Sequence, residues 1–190
     1  MKLARNEIKG ELTPETISRV RANRDVVQNI VRKQKVVYGI NTGFGPLCTT
    51  LIGKEDTQKL QYNLLMSHSV GVGNPIDKEI AKLMLILKLH ALCKGYSGIA
   101  VETVERILWH IENDVIPLVP EQGSVGASGD LAPLSHLFLP LIGMGKVWYN
   151  NEQVPMDVVL KKLDMKPVDL GPKEGLALIN GTQFMAAHAI

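Results

Sequence analysis

Apolar residues return with helical spacing over most of this chain. Behind Thr13-Pro14-Glu15 they fall at Ile17, Val20, Val27, Ile30 and Val31, one face of a helix running to about Lys35. Thr13 suits the N-cap, Pro14 the first helical position and Glu15 the first turn. The spacing predicts a second helix from Lys54 to Val70, with Leu60, Leu64 and Leu65 inward and Ser67-His68 near its inner side, ended by Gly71-Val72-Gly73-Asn74-Pro75. A strongly apolar third helix runs from Asp77 to Lys94 (Ile80, Leu83, Met84, Leu87, Ala91) and stops at Gly95. A fourth runs from Val101 to about Asn113, with Val104, Ile107, Leu108 and Ile111 inward. Asp114 to Gln122, with Pro117 and Pro120, reads as a proline-broken loop. Leu131 to Gly145 is almost free of charge, so that helix is expected to be buried all round, with Asp130 as its N-cap. Lys146 to Val154 reads as a short hairpin around Asn150-Asn151, and Met156 to Leu163 as a short helix. The pattern is that of a mainly α fold with at most short strands.

Composition narrows the classes. In 190 residues, 45% are hydrophobic and 21% charged, ordinary for a globular protein. A net charge of +2, with no basic cluster denser than Arg32-Lys33-Gln34-Lys35, gives no footprint for nucleic acid. That cluster suits the negative end of a helix dipole instead. The longest apolar run, Leu83 to Leu92, is broken by Lys88 and His90, so no membrane span is expected. No apolar stretch follows Met1-Lys2-Leu3-Ala4-Arg5, which argues against a secretory leader. Cys48 and Cys93 are isolated, as expected of reduced thiols in the cytoplasm. His68, His90, His110, His136 and His188 show no ligand spacing, so no metal site is expected, and His90 and His110 read as structural.

One stretch resists an ordinary reading: Gly123-Ser124-Val125-Gly126-Ala127-Ser128-Gly129-Asp130-Leu131-Ala132-Pro133. A phosphate-binding loop needs Lys and Ser/Thr after its last glycine, where Asp130 and Leu131 stand. A nucleophile elbow needs a glycine where Asp130 is, and a dinucleotide fingerprint needs a preceding strand. A flexible loop before a helix remains one reading. Another uses every residue of Ala127-Ser128-Gly129. The amide nitrogen of Gly129, unobstructed by a Cβ, can attack the carbonyl carbon of Ala127. Loss of water closes a five-membered ring, and loss of the Ser128 hydroxyl as a second water leaves an exocyclic methylidene. The product is an electrophile made from backbone.

This stretch resembles the signature of the aromatic amino acid ammonia-lyases, whose cofactor is that 4-methylidene-imidazol-5-one. Three further segments resemble the same family in the same order. Tyr38-Gly39-Ile40-Asn41-Thr42-Gly43-Phe44-Gly45, by itself no more than a glycine-rich turn, is similar to the family's mobile tyrosine loop. Leu64-Leu65-Met66-Ser67-His68-Ser69-Val70-Gly71 is similar to its selectivity segment. There, relatives acting on histidine carry Ser-His and those acting on phenylalanine or tyrosine tend to carry Phe-Leu or His-Leu. Gly175-Leu176-Ala177-Leu178-Ile179-Asn180-Gly181-Thr182-Gln183, otherwise a turn between helical pieces, is similar to a segment whose asparagine lies beside the prosthetic group.

The resemblance covers nearly the whole chain and implies a helical ammonia-lyase-like fold. It implies elimination of ammonia from L-histidine to trans-urocanate, with the cofactor formed from Ala127, Ser128 and Gly129 and no external one. Tyr38 becomes a candidate base or proton shuttle, His68 a substrate-binding residue, and Asn180 a contact for the cofactor or the substrate's carboxylate or amine. A sibling acting on phenylalanine or tyrosine, an aminomutase, or a non-catalytic helical module are the alternatives. The resemblance further implies a cytoplasmic homotetramer. Family members run much further than Ile190 and draw a tyrosine, an arginine and a glutamate from their later part. Residues 1–190 are therefore expected to be the N-terminal part of a catalytic domain, with little activity alone.

Overall fold

The computed structural model describes residues 2–42, 53–126 and 129–190, with the backbone alone for Lys54 and Glu55. Helix α1 (Pro14–Arg32) starts as its sequence predicts, Thr13 Oγ1 accepting from the Thr16 amide at 3.3 Å. Helices α2 (Lys54–His68), α3 (Lys78–Leu92) and α4 (Val101–Glu112) follow. α3 lies at the centre, against α4 on one side and the last helix α8 (Gln183–Ala189) on another. Its buried Leu83, Met84, Leu85, Leu89 and Leu92 join Ile107 and Ile111 of α4 and Leu65 of α2 in one core. Ala91, expected inward, is exposed, because Leu89 and Leu92 take the inner positions of the last turn.

Three expectations are corrected. The segment ending α2 continues as a strand, β1 (Val72–Pro75), paired antiparallel with β3 (Pro120–Gln122). The proline-bearing stretch before it contains β2 (Ile116–Pro117) as well as β3. The prolines fit because both ladders are short, with Pro117 opposite Val147 and Pro120 opposite Pro75. The helix expected to reach Gly145 stops early: α5 is Leu131–Phe138, followed by a 3-10 turn at Leu139–Ile142. Pro140 has no N–H for the residue-136 carbonyl and its ring crowds that carbonyl, so α-helix cannot continue. Gly143, at φ 78°, then closes the turn. Burial is nearly complete from Ala132 to Ile142, whereas Leu131 at one end and Met144 and Gly145 at the other are exposed.

The hairpin is present as β4 (Lys146–Tyr149) and β5 (Glu152–Pro155), with β2 on its other edge. Asn150 and Asn151 both have positive φ, 50° and 65°, the geometry that suits the twist of a two-residue hairpin. After α6 (Met156–Lys162), helix α7 (Glu174–Ile179) packs against α2 and α5. The fold is thus mainly α with short strands. No helix among the described residues is long and apolar enough to cross a membrane.

Candidate active site

The chain brings the end of α2, the 123–131 loop and the turn between α7 and α8 to one place. A cavity of about 220 Å³ is lined by Ser67, His68 and Val70 on one side and by Gly123, Val125, Gly129, Asp130, Leu131 and Ala132 on the other. The β1–β3 ladder makes this possible, because it pins the segment after α2 to the segment before Gly123. A Cβ on Gly123 would stand 3.2 Å from Cα of Gly71, so glycine is what allows the two backbones to pass. The Gly71 amide donates to Nε2 of His136 on α5 at 3.0 Å. That nitrogen must be unprotonated to accept, and burial pushes the His136 pKa down, favouring the neutral ring.

His68 is half-buried, with Nδ1 2.8 Å from the Leu64 carbonyl oxygen and 3.1 Å from Ser67 Oγ. A carbonyl only accepts, so in the neutral ring Nδ1 carries the hydrogen and Nε2 keeps its lone pair. Among the described residues, Nε2 has no hydrogen-bond partner. The last turn of α2 thus offers the cavity an acceptor.

Ala127 and Ser128 lie outside the described residues, as do Gly43, Phe44 and Gly45. Gly129 has φ 94°, a backbone that L side chains rarely adopt, and a Cβ there would lie 3.5 Å from Asn180 Oδ1. The end of the loop therefore has the freedom that ring closure at the Gly129 nitrogen demands, with a neutral amide beside it. Gly129 and Asn180, the described residues of this place, fit a methylidene-imidazolone.

Asp130 occupies the N-cap position of α5, yet its side chain does not cap that helix. Instead Oδ1 accepts from Ser124 Oγ at 2.5 Å, and Oδ2 accepts from the Met185 amide on α8 at 3.3 Å. Its own amide donates to the Gly181 carbonyl at 2.8 Å. The start of α5 is committed in the same way: the Leu131 amide donates to the Gly129 carbonyl at 2.9 Å, and Pro133 has no N–H.

Tyr38 is not among the residues lining the cavity and is 59% exposed. The turn that carries it is closed by Asn41, whose Oδ1 accepts from the Val37 amide at 3.0 Å and whose Nδ2 donates to the Lys35 carbonyl at 3.0 Å.

Sequence reasoning missed a buried charge beside the site and another behind it. Lys88, read as an interruption of an apolar run, is 3% exposed and donates to the Asn180 carbonyl at 2.7 Å. Glu174, at the start of α7, is 1% exposed. It accepts from the Ala100 amide (3.0 Å), Thr103 Oγ1 (2.7 Å) and the Gly171 amide (2.7 Å), with Arg24 at 3.4 Å. Arg24 stands three residues before Val27 and four after Val20, a spacing that could have placed it on the inner face of α1.

A family model described as aromatic amino acid lyase matches residues 1–190. The histidine ammonia-lyase of Bacillus subtilis is 51% identical over 176 residues, 93% of this chain and 35% of that protein. The histidine ammonia-lyase of Staphylococcus saprophyticus is 47% identical over 180 residues, 95% of this chain and 36% of that protein. The crystal structure of histidine ammonia-lyase from Trypanosoma cruzi superposes with a TM-score of 0.83 at 44% identity, over 92% of this chain and 33% of that one. Tyrosine aminomutase from Streptomyces globisporus gives a TM-score of 0.89 at 33% identity, over 98% and 35%. The chain spans about a third of the length of these relatives.

Proposed function

The chain belongs to the aromatic amino acid lyase family, and from that premise we propose that it carries the electrophile-forming and substrate-selecting part of a histidine ammonia-lyase. The reaction is elimination of ammonia from L-histidine to leave trans-urocanate. The observation that carries this reading is that His68 and Gly129, apart by many residues in sequence, line one small cavity.

Ala127-Ser128-Gly129, closed with loss of two waters, would supply an electron-poor alkene strong enough to draw electrons from the amine or the ring of the substrate. The other work falls to this chain's own groups. His68 Nε2 receives the N–H of the substrate imidazole, a bond that a phenyl or phenol ring cannot make. Leaving such a buried acceptor unpaired costs about 1–3 kcal/mol, roughly 10- to 100-fold in discrimination. The Asn180 amide donates or accepts at its position against Gly129, which suits a substrate whose charge changes during turnover. Tyr38 is the proposed base or proton shuttle. A free phenol titrates near ~10, so working near pH ~7 requires about 4 kcal/mol of phenolate stabilisation from neighbours.

The complete enzyme is proposed to be a cytoplasmic homotetramer, with further groups for the substrate carboxylate contributed beyond residue 190. Residues 1–190 alone are accordingly proposed to turn over histidine slowly or not at all. A substrate panel on the complete protein tests the reading. Histidine is expected to exceed tyrosine and phenylalanine in kcat/KM, and His68→Leu is expected to lower the histidine value about 10- to 100-fold. Equal rates on all three substrates, or an unchanged His68→Leu, would overturn it.

A further inference from the structure

Lys88 stands out among the buried charges. Lys82, on the same helix and 2% exposed, faces Asp114 Oδ1 at 2.8 Å and Asn6 Oδ1 at 2.6 Å. Arg24 faces Glu174. Lys88 has no carboxylate within ion-pair distance among the described residues. Among the described residues, its ammonium donates to one oxygen, the backbone carbonyl of Asn180 at 2.7 Å. Burial, with Lys173 adding repulsion, pushes its pKa down to about 7. A methionine would fill this position without desolvating a cation.

The gain lies in what Lys88 holds. Asn180 closes α7, where carbonyl oxygens lack helical partners and the dipole favours a cation. The next carbonyl, that of Gly181, takes the Asp130 amide at 2.8 Å. The Asn180 side chain lies against Gly129. One two-residue turn therefore meets α3 on its inner side and the 123–131 loop on its outer side.

We propose that Lys88 is a positioning residue, whose grip on the Asn180 carbonyl fixes the Asn180 amide against Gly129 in the arrangement that closure of the Ala127–Gly129 loop requires. The inference rests on the reading of that loop as self-cyclising and deepens it.

The test follows, by intact mass, how fast the complete protein loses two waters after synthesis, beside kcat and KM for histidine. Lys88→Met keeps the volume and removes the donor. It is expected to slow the mass loss about tenfold or more, and to lower kcat while KM stays within about threefold. Lys88→Arg keeps a donor and is expected to recover most of both. Wild-type mass loss and kcat in Lys88→Met, with at most a lower Tm, would reduce Lys88 to a helix-end contact and overturn the inference. Should Lys88→Met fail to fold, Lys88→Leu, which also lacks a donor, decides: slowed mass loss supports the inference and wild-type behaviour overturns it. Absence of any mass loss in the wild type removes the cyclising loop itself, a failure distinct from one confined to the Lys88 variants.

Discussion

Gly129→Ala is expected to leave a folded protein whose kcat for ammonia release from histidine is reduced by about 10³-fold or more, some 4 kcal/mol of barrier. Space is not the obstacle, since the added methyl would meet Asn180 Oδ1 at 3.5 Å, an ordinary contact. The obstacle is the backbone. At φ 94° an L residue is strained by about 1–2 kcal/mol, so the loop relaxes towards another conformation. The methyl also crowds the amide nitrogen that must attack. Circular dichroism and Tm close to wild type, with kcat lowered to that extent, is the expected outcome. Retained activity would place the electrophile elsewhere.

The second large effect is on stability. Glu174→Ala is expected to cost about 3–5 kcal/mol, because it leaves Arg24 buried without its counter-charge and the amides of Ala100 and Gly171 without their acceptor. The expected readout is a fall in Tm of several degrees or more. Arg24 retains the carbonyls of Gly98 and Pro172, at 2.9 and 2.8 Å, which offset part of the loss. Glu15→Ala, removing an exposed partner of Arg19, is the control and is expected to shift Tm by no measurable amount. Similar shifts for the two would contradict the role given to Glu174. Glu174 opens α7 and Asn180 closes it, so the glutamate anchors the helix that delivers the amide to Gly129.

Local chemistry made much of this chain readable. Thr13-Pro14 starts α1 because an N-cap hydroxyl and a fixed φ act within one turn, and Asn150-Asn151 turns a hairpin because both residues tolerate positive φ. The segments holding His68, Gly129 and Asn180 were recognisable one by one, and the structure adds that they meet. What stayed hidden depends on residues distant in sequence. The pairing of Val72 with Gln122 leaves no local trace in a stretch that otherwise looks like a helix stop. Arg24, Lys82, Lys88 and Glu174 have the composition of solvated positions, and their burial is decided by partners up to 148 residues away. Asp130 has the right place for a cap, but Ser124 and Met185 claim its carboxylate.

The central claim is that three consecutive residues of this chain, 127 to 129, become an electrophile. Intact mass measures that directly on the purified complete protein. The account predicts a wild type lighter than its sequence by two water molecules and a Ser128→Ala variant at its full sequence mass. A wild type at full sequence mass that still releases ammonia from histidine would contradict it.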